Sequence, residues 1–192
     1  MALVLGYPPC STPCPSAVPD AMGAKMVTIR HITAADAEGF LLLAQTIDQE
    51  TTFMLRAPGE RTITVAAQRE QIIGLVSRPN HTILVAEDAG KLVGYLGAAG
   101  GAYCRNRHTV HIALGILQTY TGQGIGQRLL AALETWARAQ ALHRVDLTVM
   151  THNARAIQLY TRMGFLIEGT KRHALLVNGT YVDEYTMAKL LE

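Results

Sequence analysis

The sequence predicts an α/β protein, and three observations lead there. An apolar run from Val110 to Leu117 passes through Gly122, Gly124 and Gly126 into an amphipathic run from Ile125 to Ala141, which reads as strand, glycine turn and helix. Asn178-Gly179 stands between two strand-like runs and is the strongest hairpin turn signal in the chain. Elsewhere, runs with the alternating period of a strand are interleaved with runs of helical period, in the order β-α-α-β-β-β-α-β-α-β-β.

Taken in order, Val27 to Ile32 is the first predicted strand. Thr33-Ala34-Ala35-Asp36 has the form of a capping box with Thr33 as N-cap, and the helix behind it runs to about Gln49 with Ala37, Phe40, Leu41, Ala44 and Ile47 on one face. Glu50 to Arg61, carrying Pro58-Gly59, reads as a loop. Thr62 to Ser77 reads as a second helix stopped by Pro79. Thr82 to Glu87 and Lys91 to Ala98 are strands around the Asp88-Ala89-Gly90 turn, and Thr109 to Leu117 is the central strand. Leu129, Leu130, Leu133 and Trp136 give the helix after the glycine turn a sheet-facing side. Val145 to Val149 is a strand and Asn153 to Met163 a short helix. Phe165 to Val177 and Thr180 to Leu190 are the strands of the last hairpin.

The totals narrow the function. At 192 residues, the chain is expected to hold one domain over 26–192 behind an irregular or disordered extension over 1–25. That extension holds five of the chain's seven prolines and lacks the basic start of a signal peptide. Met26, directly before the first strand, is a candidate for the true start. A net charge of +2 and the absence of basic runs point away from nucleic acid, and no apolar run approaches membrane-spanning length. Cys10, Cys14 and Cys104 form neither a disulfide framework nor a zinc pattern. The expected setting is reducing and cytoplasmic, with no metal.

Three glycines at alternate positions strip one side of the turn of Cβ atoms. Backbone N–H groups at the start of the helix can then meet an anion, phosphate being the usual one. The alternative is a tight turn that binds nothing. The spacing is neither that of a P-loop nor that of a dinucleotide fold. The stretch Thr121-Gly122-Gln123-Gly124-Ile125-Gly126 resembles the acetyl-CoA pyrophosphate loop of the GNAT superfamily of N-acetyltransferases, [QR]-x-x-G-x-[GA], with Gly124 and Gly126 at its glycines and Thr121 where the family has Arg or Gln. Asn153-Ala154-Arg155-Ala156-Ile157-Gln158-Leu159-Tyr160-Thr161-Arg162-Met163-Gly164-Phe165 is similar to a second signature of the family, N-x-x-A-x-x-[LF]-Y-x-x-x-G-F. Part of the loop from Glu50 to Arg61 also resembles a bacterial subgroup of mostly unassigned substrate.

The resemblance implies a mixed sheet with helices on both faces and a central strand that splays from its neighbour to admit pantetheine. It implies an acyltransferase that moves the acetyl group of acetyl-CoA directly to a primary amine in a ternary complex, the amine being a small molecule or a peptide. Leu114, Ile116 and Leu117 would face the pantetheine. Gly122, Gln123, Gly124, Ile125, Gly126 and Gln127 would hold the pyrophosphate. Asn153 would cap its helix or touch CoA, and Tyr160 would protonate the departing thiolate. Where relatives carry a strand glutamate as general base, this chain offers His108 and His111, of which His111 is the candidate proton relay. Glu50 and Glu60 are the candidates for holding a cationic acceptor, ahead of Asp183 and Glu184. A homodimer is compatible with this reading. The competing readings are a CoA-binding regulatory module with weak catalysis and a module for another phosphorylated ligand.

Overall fold

The computed structural model describes residues 27–192. The extension expected over 1–25, with Cys10, Cys14 and the neighbouring Met26, lies outside the described residues. Among the described residues, seven strands form one sheet: β1 (Thr28–His31), β2 (Thr82–Asp88), β3 (Lys91–Gly100), β4 (Thr109–Ile116), β5 (Arg144–Met150), β6 (Leu166–Val177) and β7 (Thr180–Leu190). Their spatial order is β1-β2-β3-β4-β5-β7-β6. Every neighbouring pair is antiparallel except β4 and β5. Four α-helices complete the fold: α1 (Ala37–Glu50), α2 (Val65–Val76), α3 (Ile125–Ala139) and α4 (Ala154–Arg162). The result is the expected mixed sheet between helices.

Most boundaries follow local chemistry. Thr64 rather than a residue before Thr62 caps α2, because its Oγ1 accepts from the N–H of Ala67 at 3.1 Å. The start of α1 is set by Asp36, whose carboxylate takes the N–H and hydroxyl of Thr33 at 2.7 and 2.9 Å and also pairs with Arg30. The turn at Asn178-Gly179 has both residues at positive φ, 49° and 79°, the geometry its sequence predicts. The strand β6 is less regular than expected: its register on β7 shifts between Lys171 and Leu175, around His173 at φ 50°.

The helices sit on opposite faces of β4. A Cβ on Gly115 would stand 2.9 Å from Tyr95 Cε1 and 3.2 Å from Ile47 Cδ1, so α1 lies on that face. On the other side, a Cβ on Gly126 would meet Leu159 Cδ2 at 2.8 Å and Ile116 Cδ1 at 3.6 Å, so α3 and α4 pack together beside the Ile116 side chain. The two layers of core meet the sheet at Ile47, Leu96, Leu129, Leu133 and Met187, all buried to 1% or less. Burying each such side chain stabilises the fold by about 1.5–3 kcal/mol.

Candidate active site

The site begins where β4 leaves β5. The two strands pair only at Thr109–Arg144, Val110–Val145 and His111–Asp146. Beyond His111 they diverge, while β4 continues against β3 as far as Ile116. The direction of the freed backbone follows from one bond. Leu117 donates its N–H to Val93 O at 3.0 Å, so Leu117 belongs to the hydrogen-bonded pairs of that ladder. Antiparallel pairs alternate, so Leu114 and Ile116 turn their N–H and C=O toward the gap. Leu117 does not: its N–H is spent on β3, its C=O accepts from the N–H of Tyr120 at 2.9 Å, and its side chain is 6% exposed, in the core. That differs from the expectation that it would face pantetheine, and the reason is a one-residue step in a two-residue period.

The gap opens into a cleft of about 840 Å³. Backbone and side chains of Ile112 to Ile116, Gly122, Gly124 to Gln127, Asn153, Arg155, Tyr160, His111, Glu50 and Phe53 to Leu55 border it. A single 3₁₀ turn, Gln118–Tyr120, leads from β4 into the glycine loop. Its first N–H, that of Gln118, donates to Glu50 Oε2 at 2.7 Å, which ties the end of α1 to the loop. Gly124 has φ +76° and only open space where a Cβ would be. The first N–H groups of α3 have no intrahelical acceptor, and the first bond back to the loop is Arg128 N–H to Gly124 O at 3.1 Å. Backbone N–H groups without helical partners thus stand beside the open space at Gly124, an arrangement suited to a phosphate. Gln123 is exposed and bonds Thr119 O through its own side chain, and it does not border the cleft.

Thr121 gives no substitute for a long basic side chain, since its hydroxyl donates to Gln118 O at 2.6 Å. A cation arrives from elsewhere. The Arg155 guanidinium lies 3.4 Å from the Cβ position of Gly122 and makes no hydrogen bond or ion pair among the described residues. Sequence reading passed over Arg155, because nothing local ties the first turn of α4 to the glycine loop. Asn153 caps α4, accepting from Ala156 N–H at 3.2 Å, and also borders the cleft.

Tyr160 is 7% exposed, its ring tilted against Phe165 with centroids 5.8 Å apart. Its hydroxyl has no hydrogen-bond partner among the described residues, and burial pushes the phenol up to about 12. It therefore holds its proton at neutral pH and borders the cleft with a donor to spare. His111 is exposed on the α1 face, its Nδ1 2.7 Å from Asp146 Oδ1. His108 lies away from the cleft, its ring 6.4 Å from that of His143.

The two candidate acceptor carboxylates part company. Glu50 borders the cleft, whereas Glu60 is exposed and turns back onto the N–H of Ala57 at 3.0 Å. Glu184, opposite Met150 on β7, borders the cleft instead. Phe53 crosses from the α1–α2 loop to the β5–α4 turn, its ring 5.2 Å from that of His152. Among the described residues no helix is long and apolar enough to cross a membrane, and no cluster of His, Cys, Asp and Glu is arranged to hold a metal ion.

The acetyltransferase (GNAT) family model matches residues 43–165, and the chain belongs to that family. It is similar to the L-amino acid N-acetyltransferase AaaT of Escherichia coli K12, with 33% identity over 120 residues, 60% of this chain and 72% of that one. It is equally similar, 33% over 144 residues, to the L-methionine sulfoximine/L-methionine sulfone acetyltransferase of Pseudomonas aeruginosa, covering 74% of this chain and 81% of that one. A GNAT-family acetyltransferase structure from Streptococcus pneumoniae superposes with a TM-score of 0.83 at 28% identity, covering 86% of this chain and 99% of the other. The protein is thus an acyltransferase enzyme of the N-acetyltransferase kind, and a purely regulatory module is not favoured.

Proposed function

We propose that the protein transfers the acetyl group of acetyl-CoA to the primary amine of a small acceptor, with donor and acceptor bound together. The observation that carries this reading is the splay of β4 from β5 beneath the glycine loop, with the unpartnered Tyr160 hydroxyl at the gap. The pyrophosphate would rest on the N–H groups from Gly122 to Gln127, with Arg155 as counter-charge. Pantetheine would pair with the free backbone of Leu114 and Ile116. This face of the sheet, lined by α3 and α4, belongs to the donor. The α1 face, with Glu50, Phe53 and His111, belongs to the acceptor.

The reaction is an attack of the neutral amine nitrogen on the thioester carbonyl carbon. The new C–N bond forms and the C–S bond breaks, its electron pair leaving on sulfur. Tyr160 gives the thiolate its proton and is reprotonated from water; the proton lost by the amine passes to His111 and then to solvent. Holding both substrates in one cleft supplies much of the rate. Glu50 and Glu184 are placed to attract an acceptor that arrives as a cation. A free L-amino acid is the favoured acceptor, on the strength of the activities that the names of the two relatives state.

The test is acetyl-CoA turnover against a panel of standard L-amino acids, L-methionine sulfone, polyamines and short peptides, reading free thiol and the acetylated product by mass. Amine-dependent thiol release, fastest with a free amino acid, is expected. Acetyl-CoA binding with no release in the presence of any amine would replace this reading with that of a CoA-binding module.

A further inference from the structure

At the vertex of the gap, the last rung of the β4–β5 pair sets His111 opposite Asp146. The side chains meet as well: His111 Nδ1 is 2.7 Å from Asp146 Oδ1. An ionised carboxylate only accepts, so Nδ1 must carry the hydrogen. In the neutral ring that leaves Nε2 as the lone-pair nitrogen, and the ring borders the cleft. Asp146 is itself held. Arg144 Nε stands 3.4 Å from its second oxygen, and the Arg144 guanidinium grips Glu168 on β6 through both carboxylate oxygens. The remaining charged side chains bordering the cleft are Glu50, Glu184, Arg155 and Arg162. None of them hydrogen-bonds to the imidazole.

We infer that Asp146 is a positioning residue for the transfer reaction: it fixes the tautomer and direction of His111 so that Nε2 takes the proton released by the acceptor amine. The inference rests on the proposed acetyl transfer and adds to it a residue that contacts neither substrate. A carboxylate behind an imidazole serves the same purpose in hydrolytic triads. Here the rigid element behind it is the parallel rung itself, with the Arg144–Glu168 pair bracing its far side. The proton taken by Nε2 passes to water at the open mouth of the cleft, where His111 is exposed, so no further group is required.

Asp146→Asn keeps the shape but offers an amide N–H to Nδ1, which selects the wrong tautomer. With acetyl-CoA and the amino acid turned over fastest in the acceptor panel, kcat should fall by at least about tenfold. The acetyl-CoA dissociation constant should stay within about twofold, since that ligand is held elsewhere. In a His111→Gln background, Asp146→Asn should add little further loss, because the two act as a unit. Nitrogen-15 spectra of the wild-type protein, at a pH where the ring is neutral, should show His111 protonated at Nδ1. Wild-type kcat in either single variant, an equal loss from Asp146→Asn in both backgrounds, or a ring protonated at Nε2 would overturn the inference. Absence of amine-dependent thiol release by the wild type would instead sink the acetyl-transfer reading, and the nitrogen spectrum reads the dyad in that same sample.

Discussion

Two residues concentrate the proposed chemistry. Gly124 holds φ +76° at the mouth of α3, and the space above it is open. Val there is strained by the backbone and intrudes where phosphate would sit. Gly124→Val should fold, by circular dichroism, yet lose acetyl-CoA affinity at least about tenfold by calorimetry, an energy of about 1.4 kcal/mol. Tyr160→Phe keeps the ring against Phe165 and removes only the hydroxyl. Its kcat should drop at least about tenfold with acetyl-CoA affinity preserved, the pattern of an interaction made in the transition state. The same phenol has a stability signature. Its pKa is raised from 10.0 to about 12 by burial, so the folded state keeps a proton the unfolded chain releases. That contribution is whole below pH 10 and is lost as pH rises toward 12, an effect of at most about 3 kcal/mol. The stability of the wild type relative to Tyr160→Phe, measured by urea unfolding, should therefore decline across that window; a constant difference would mean the phenol is no better shielded than in the unfolded chain.

Among the elements, the α1–α2 loop carries Phe53, Met54 and Leu55 to the border of the cleft. What fixes it is a buried ion pair. Asp48, 2% exposed in the last turn of α1, receives Arg61 Nε at 2.8 Å, and Gln45 holds Arg61 O at 3.0 Å. Arg61→Ala leaves Asp48 charged and unpaired in the core, which costs about 3–5 kcal/mol. Urea unfolding should show that loss, and Asp48→Leu combined with Arg61→Met should recover much of it. The same element shows where sequence reading stops. The helices, the glycine turn and the Asn178-Gly179 hairpin were legible because each is written in adjacent residues: a period, a cap, a pair of turn formers. The Asp48–Arg61 pair, the Gln118–Glu50 bond and the His111–Asp146 contact join residues far apart in the chain, and only register and packing bring them together. Leu117 was misplaced for a related reason: strand identity can be read from apolar pattern, but which backbone edge is free depends on the partner strand.

For the molecule as a whole, the sheet works as a partition. The Gly115 contact puts α1 on one face and the Gly126 contact puts α3 and α4 on the other, while the β4–β5 gap is the passage between them. In the proposed reaction, donor and acceptor approach from opposite sides and meet at the gap, as a ternary complex without a covalent enzyme intermediate requires. Steady-state kinetics with the best amine should give intersecting rather than parallel double-reciprocal lines. Parallel lines would point to an acetylated enzyme. The mixed sheet and its two helical layers were readable from element order, whereas Arg155 joined the cleft, and Glu184 took precedence over Glu60 there, only when the sheet was assembled. The most direct test of the account is a crystal structure with CoA bound. It predicts pyrophosphate on the N–H groups between Gly122 and Gln127, pantetheine against the backbone of Leu114 and Ile116, and the sulfur within about 3.5 Å of the Tyr160 hydroxyl. A CoA that lies outside the β4–β5 gap, or whose sulfur is remote from Tyr160, would contradict it.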